Sequence, residues 1–326
     1  MSGDGSMLAI GEPAHDGHAF GMSGEVYIFR RANNGSWSLS ATLNAPEFLT
    51  ADNFGESIDL SLDGRTLKVL ALEPRNANAE PEGRTHIFER TGDAWTLTHT
   101  FAPFYAGDRC EHTRMSGDGN TLLFNCIKSV DPDFPNSRSY RIVTLKRSGD
   151  TWLHAPDINL PLSFMQPLAL NFNATALALF ELPNVVTYRW DGSSWMREMT
   201  IQPPIAGTAW GLTMAFNRRG TLLAIGDFLS PAGGAGVSDA ATQGTTIDGA
   251  VFMFERSSAP AQPWRLRSQV KAPNPDNSDL FATSLALDGS GRTLAIGAIR
   301  EASAARGIDG DRSDNSARDA GAAYLY

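Results

Sequence analysis

Apolar and polar positions along this chain alternate in short runs, and the runs recur in a fixed order. An apolar strand such as TLLAIG (Thr221–Gly226) follows a tight polar turn, and a polar, Gly-rich loop of variable length follows the strand. A further strand comes next: EVYIF (Glu25–Phe29), RTHIF (Arg84–Phe88), YRIVTL (Tyr140–Leu145), VVTYRW (Val185–Trp190), GAVFMF (Gly249–Phe254) and GAAYLY (Gly321–Tyr326). A turn such as RTGD or RSGD then leads into a strand carrying a tryptophan, at Trp37, Trp95, Trp152, Trp195 or Trp264. Before each tight turn lies one more strand, as in GESIDLS (Gly55–Ser61). No 11-residue window carries a helical period. Four short strands joined by tight turns are the pattern of a propeller blade.

The tight turns register the repeat. MSGDG opens the chain at Met1–Gly5 and returns at Met115–Gly119, with weaker copies between and beyond. The turn glycine or its equivalent falls at Gly5, Gly64, Gly119, Ala174, Gly220 and Gly291, at spacings of 59, 55, 55, 46 and 71. Periods of this size mark an array of supersecondary units. From each strand-four tryptophan to the next turn residue the distance is 27, 24, 22, 25 and 27, so length variation falls mostly in the loop between strands two and three. The expected fold is all-β: one propeller domain over residues 1–326, of about five and a half to six four-stranded antiparallel blades.

Composition agrees. Hydrophobic residues are 42% of the 326, enough for a sizeable core, and 31 Gly with 18 Pro favour turns over long helices. The net charge of −9 would repel a phosphate backbone, which argues against nucleic acid as a partner. No apolar run approaches the roughly 18 residues of a membrane helix, which argues against membrane insertion, and no signal peptide is visible.

The stretch DNFGESIDLSLDG (Asp52–Gly64) resembles an FG-GAP repeat, as do TLAIGA (Thr293–Ala298) and AIGEP (Ala9–Pro13). GIDGDRSDNSARDAGAAYLY (Gly307–Tyr326) resembles the strand-two-to-three loop and third strand of bacterial FG-GAP repeat proteins. The resemblance implies a propeller similar to the integrin α-subunit head and usually seven-bladed. It also implies an extracellular, cell-surface or periplasmic setting, and binding or adhesion in place of catalysis. Integrin-type repeats carry a D-x-D/N-x-D-G calcium loop between strands one and two. Here the hairpin is shortened to S-x-D-G, so those calcium sites are expected to be absent. The chain begins at the turn after a missing first strand and ends with a third strand. It reads as a monomer or as part of a larger chain.

The two cysteines, Cys110 and Cys126, take the places of the FG glycine and the GAP alanine, and lie symmetrically about Asp118. A three-residue turn Gly117-Asp118-Gly119 would set them opposite each other, within disulfide range, whereas a two-residue turn would shift the pairing by one. The alternative is two small buried thiols in a reducing compartment. For metals, Asp309, Asp311, Asp314 and Asn315 offer clustered oxygen ligands suited to Ca²⁺, against the alternative of side chains that cap their own turns. The pair His15 and His18, with Asp16 between, lacks further ligands nearby. The loop Gly233–Gly249, with Asp239 and Asp248, is a poorer metal candidate.

Nucleophile elbows, phosphate loops and dinucleotide fingerprints are all missing. The reading is therefore a non-enzymatic scaffold that needs no cofactor and offers its strand-two-to-three loops to a protein or carbohydrate ligand. Two other readings stand beside it. A carbohydrate-active hydrolase or lyase on a propeller predicts a cluster of carboxylates with perturbed pKa values in the central channel. A sugar-binding lectin predicts repeated pockets between blades.

Overall fold

The structure, a computed structural model, describes residues 1–13, 24–46, 53–73, 82–105, 107–128, 139–160, 168–206, 209–259, 261–311 and 313–326. Among these residues all regular structure is β, in six antiparallel sheets that are the blades of a β-propeller. Among the described residues no helix is long and apolar enough to cross a membrane. The chain divides into two compact units of three blades, Met1–Ser163 and Phe164–Tyr326.

In the first unit, blade one holds β1 (Met7–Glu12), β2 (Glu25–Arg31) and β3 (Trp37–Asn44). Blade two holds β4 (Ser57–Leu60), β5 (Thr66–Glu73), β6 (Glu82–Thr91) and β7 (Ala94–Phe101). Blade three holds β8 (Arg109–Met115), β9 (Thr121–Ile127), β10 (Tyr140–Ser148) and β11 (Thr151–Leu160). In the second unit, blade four holds β12 (Leu168–Leu170), β13 (Ala176–Glu181), β14 (Asn184–Trp190) and β15 (Trp195–Ile201). Blade five holds β16 (Thr213–Phe216), β17 (Leu222–Asp227), β18 (Gly236–Ser238), β19 (Ala250–Arg256) and β20 (Trp264–Lys271). Blade six holds β21 (Phe281–Leu287), β22 (Leu294–Ala298) and β23 (Ala322–Leu325). Neighbours in each sheet follow chain order except for β18, which the loop of blade five lays along the far edge of β20. The sequence pattern predicts only loop over that stretch.

The repeated turn explains MSGDG. In all six hairpins the turn residue has a positive φ: Gly5 70°, Gly64 67°, Gly119 72°, Ala174 50°, Gly220 66° and Gly291 76°. Glycine suits this left-handed region because it has no Cβ to clash. The turn is closed by its own side chains. Ser116 Oγ accepts from Thr121 N at 2.9 Å and donates to Asp118 Oδ1, which also accepts from Asn120 N at 3.0 Å. Asn171 and Asn217 replace this Ser–Asp couple with one amide, whose oxygen accepts two backbone N–H groups at 2.8–3.0 Å. The S-x-D-G aspartates thus serve as caps of their own hairpins.

Cys110 and Cys126 form the disulfide, with Cα atoms 4.0 Å apart, but by a different route from the three-residue turn expected. Ser116 bonds to Thr121 across a four-residue loop, so Met115 pairs with Leu122 and Thr113 with Phe124. That register alone would put the cysteines out of step by one. A bulge between Cys110 and His112 takes up the extra residue and restores their pairing. The bond closes a separation of 16 residues. Loop-closure entropy puts its contribution at about 3 kcal/mol, so the double variant Cys110→Ser, Cys126→Ser should lose about that much in urea unfolding. An unchanged midpoint would contradict it.

Within each unit, neighbouring blades share their cores. Met7, Val26 and Ile28 of blade one pack with Phe54, Leu67 and Val69 of blade two. Trp210, Phe252 and Trp264 of blade five pack with Ala178 and Val185 of blade four. Glycines let the backbones approach. A Cβ on Gly24 or Gly249 would lie 2.1 Å from the carbonyl oxygen of Phe54 or Phe281 in the next blade, and one on Gly83 would lie 1.8 Å from that of Cys110. The FG-like segment of one blade therefore docks against the third strand of the blade before it.

Strand four carries a bulge against strand three at matching places in blades one, two, four and five. In blade four the extra residue is Glu198. It reaches into blade five, where its carboxylate accepts from Arg256 at 2.6 and 3.1 Å and from Trp264 Nε1 at 3.1 Å. A bulge re-aims a side chain in just this way.

Candidate functional site

In an antiparallel blade the connection from strand two to three and that from strand four to the next strand one leave by the same end. The strand-two-to-three loops of blades one to three, with His15, Asp16 and His18, lie outside the described residues. Blade four has only the short turn Glu181–Asn184 there. Blades five and six carry long described loops, and between them this end of the second unit holds five buried ionisable side chains, each 5% exposed or less: Asp227, whose carboxyl is pushed up by burial and accepts from Ala209 N and Leu229 N at 3.2 Å, and Asp248, Lys271, Asp279 and Glu301.

Each is held by a different part of the connections. Lys271 ends the alternating strand β20 and is drawn inward. Its Nζ pairs with Asp248 and donates to the Ala232 carbonyl at 2.7 Å. Gln269, two residues earlier on the same face, donates to Gly233 O at 2.7 Å and accepts from Thr242 N at 3.0 Å. Together they fix loop 228–249. Asp279 begins blade six and accepts from Asp276 N at 2.9 Å. Glu301 accepts from Ser303 N at 3.0 Å and from Asn274 Nδ2 at 3.3 Å, with the Tyr324 hydroxyl at 3.2 Å. The segment between these acids is backbone-strained: Ser278, Leu280 and Ala282 all have positive φ, at 73°, 55° and 81°. Ala282 stands where blades two and five have Gly55 and Gly211.

Burial pushes the Asp279 carboxyl up to about 6, and the charges of Glu301, Asp276 and Asp248 add to the effect. A carboxyl raised in the folded state binds its proton more tightly there than in the unfolded chain. Stability should then fall as pH rises from about 4 to about 6. Asp279→Asn keeps the acceptor and removes the charge. It should match the parent below pH 4 and exceed it by about 1–2 kcal/mol above pH 7, the full linkage value being discounted for solvent screening. Melts at pH 3.5 and pH 7.5 check this. Equal behaviour at both pH values would mean that the carboxyl is not raised.

The four oxygen-bearing residues of the blade six loop are largely engaged by their own loop. Asp311 Oδ1 accepts from Ser313 N and Oγ at 2.9 and 2.7 Å, and Asp314 accepts from Ser316 N and Ala304 N. Serine hydroxyls first, that of Ser313 for Asp311 and that of Ser316 for Asp314, and then these backbone bonds hold both carboxyls below the usual carboxylate range. Asn315 Nδ2 donates to Asp276 Oδ2 at 2.9 Å, tying the loop to the connection beneath it. Asp309 sits at a positive φ of 56°. Among the described residues no group of three or more His, Cys, Asp or Glu converges to hold a metal ion. Asp309 and Asp311 instead line a groove of about 600 Å³ with Glu301, Ile308 and the strand β23.

Sequence reasoning passes over Lys271, Asp279, Glu301 and Asn274, and reads Tyr324 only as one of the strand-three aromatics that pack between blades. The available signal was a charge at the end of an otherwise alternating strand (Lys271), and an acid two places before the aromatic of the FG-like motif. Asp279-Leu280-Phe281 repeats the order of Asp52-Asn53-Phe54.

The fold and this face define a β-propeller with long, braced loops on one end of its last two blades. No family model and no curated protein matches the chain. Among solved structures it is similar to a protein from Lactobacillus plantarum, at 12% identity and TM-score 0.47 over 77% of this chain and 66% of that one. It is similar to the β-propeller domain of Cps50 (Swd1) from Myceliophteria thermophila, at 12% identity and TM-score 0.45 over 90% and 91%. It is also similar to a proposed 6-phosphogluconolactonase from Bacteroides uniformis, at 10% identity and TM-score 0.44 over 98% and 100%.

Proposed function

We propose that this protein is a non-catalytic binding scaffold of FG-GAP type, and that the loops 228–249 and 299–321 form its ligand face. One observation carries the reading. Lys271, Asp248 and Glu301 are spent on bracing the two loops, while apolar side chains stand out from the loops into solvent: Val237 59%, Ile247 47%, Ile299 57% and Ile308 93% exposed. Exposed apolar groups on a braced frame suit a protein ligand. The disulfide favours an oxidising compartment, in keeping with an extracellular or periplasmic site.

A second reading has its own support. Asp279, raised to about 6 beside Glu301, has the properties of a general acid, so a hydrolase or lyase acting on a carbohydrate is the competing function. One experiment separates them. The parent and the Asp279→Asn and Glu301→Gln variants are assayed for turnover of chromogenic glycosides, lactones and esters, and for saturable binding to immobilised extracellular-matrix proteins and polysaccharides. Saturable binding that survives both substitutions but is lost in Ile247→Asp, Ile308→Asp supports the scaffold. Turnover abolished by either carboxyl substitution replaces it with the enzyme.

A further inference from the structure

Lys271 and Asp248 meet where neither side chain reaches solvent, at 1% and 2% exposed. Both stand on fixed backbone. Val251 of β19 pairs with Val270 of β20, so Lys271 lies opposite the start of β19 and Asp248 just before that start. Val270 and Ala272, on either side of Lys271, belong with Phe281 to one buried apolar cluster. The Asp248 carbonyl accepts from Phe281 N at 3.0 Å, and the Lys271 carbonyl accepts from the Tyr326 hydroxyl at 2.5 Å.

The buried lysine of blade two shows what is different here. Lys68 Nζ has three acceptors at 2.9–3.0 Å, Ser57 Oγ, Thr113 O and Asp59 Oδ2, one for each hydrogen of an ammonium. Arg114 stands 3.4 Å from the other oxygen of Asp59, and the two cations together keep that group a carboxylate. Lys271 Nζ has two acceptors, Asp248 and the Ala232 carbonyl at 2.7 Å. Among the described residues no arginine pairs with Asp248, and the charge of a second buried acid, Asp279, opposes its own. An ion pair in this place keeps two desolvated charges, whereas an amide between the same atoms keeps none. Partners for such an amide are already present. The Ala232 carbonyl would accept from its N–H, and Thr246 Oγ1, 3.3 Å from Asp248 Oδ2, would donate to its C=O.

We propose that Lys271 and Asp248 condense into an isopeptide bond that clasps the β19–β20 hairpin at the loop end of blade five. One ammonium proton passes to Asp248 Oδ1, leaving a neutral amine and a neutral carboxylic acid. The Nζ lone pair then attacks Cγ and the Nζ–Cγ bond forms. A second Nζ proton joins the Oδ1 hydroxyl, the Cγ–Oδ1 bond breaks, and one water leaves. Nothing is oxidised or reduced, and no co-reactant is needed. Two groups held against each other by a folded backbone react as if at very high concentration, which offsets the advantage that hydrolysis has in water. The bond spans a separation of 23 residues and lies directly beneath loop 228–249. The inference goes beyond the scaffold reading and does not depend on it.

The test is the intact mass of the full chain, read denatured and with the disulfide reduced, so that a variant that folds poorly still reports. Measured against its own sequence, the parent should be one water light, and Lys271→Arg and Asp248→Ala should each carry their full mass. A tryptic digest of the parent should yield residues 220–256 joined to residues 268–292, because an acylated Lys271 is no longer a cleavage site. The proposal is overturned if the parent carries its full mass. It also fails if the missing water persists in Lys271→Arg, as it would for a succinimide at Asp248-Gly249, or returns in Lys68→Met, which would place the bond in blade two. A full mass would leave the ion pair and the scaffold reading as they stand. Absence of ligand binding in a chain that is one water light would remove the scaffold reading and keep the bond.

Discussion

Replacing Lys68 with alanine is expected to lower the stability of the first unit by about 3–5 kcal/mol. Lys68 lies in β5, between Leu67 and Val69, and is completely buried. Its Nζ sits 3.0 Å from Asp59 Oδ2, 2.9 Å from Ser57 Oγ and 3.0 Å from the Thr113 carbonyl of blade three. Asp59 also accepts from Met115 N at 3.0 Å and has Arg114 at 3.4 Å. One ammonium thus ties three groups across two blades. Burial alone would push the Asp59 carboxyl up, but the charges of Lys68 and Arg114 outweigh it and hold the carboxyl below its usual range. A depressed carboxyl contributes stability above the unfolded-state pKa of about 3.9, and that contribution is lost as pH falls through the folded value. The truncation leaves Asp59 and the Thr113 carbonyl without their cation. An apolar pair of similar size, Lys68→Met with Asp59→Leu, should recover most of the loss, because the desolvation cost of both charges disappears as well. Urea unfolding of the two single variants and the double gives the coupling. Additive losses would show that the two groups act independently.

Gly249→Ala should be comparably severe, at about 3–5 kcal/mol. Alanine at a φ of 93° costs about 1–2 kcal/mol for backbone conformation. Its Cβ would also lie 2.1 Å from the Phe281 carbonyl, so blade six must be displaced, at a further cost of about 1–3 kcal/mol. Gly83→Ala tests the close approach apart from the conformation, since it meets Cys110 O at 1.8 Å without a positive φ. Gly92→Ala, with a φ of 62° and open space around the Cβ, tests the conformation apart from the approach and should cost only about 1 kcal/mol. If Gly92→Ala proved as damaging as Gly249→Ala, contact between blades would not be the reason for the glycine.

The contrast between these positions marks how far the sequence could be read. Turn glycines and tryptophan-led strands were legible because their determinants are local. A left-handed residue, a capping side chain and an alternating strand each announce themselves within about six residues. The disulfide was legible for a reason only half right: both cysteines stood at equivalent positions of their motifs, but the loop proved longer and the bulge before His112 restored the pairing. Lys68 was not legible. A lysine in KVLAL reads as an ordinary exposed residue of a strand, and only the arrival of Asp59 and Thr113 from neighbouring strands makes it a buried tie. The acids of blades five and six were hidden in the same way. Asp248, Asp279 and Glu301 lie far apart along the chain, and their common surroundings come from packing. β18 was missed because three residues inside a long polar loop carry no period to detect.

The hairpin turns have a consequence for how such blades diverge. Three different spellings, a serine with an aspartate two places on, a single asparagine or the single aspartate Asp288, satisfy the same backbone donors of the same turn. Each spelling is complete within about six residues and asks nothing of the neighbouring blade. A copied blade can therefore drift from one spelling to another without compensating change elsewhere. The constraint that persists is on geometry rather than on letters, so blades of one ancestry can keep their shape long after their sequences have ceased to look alike.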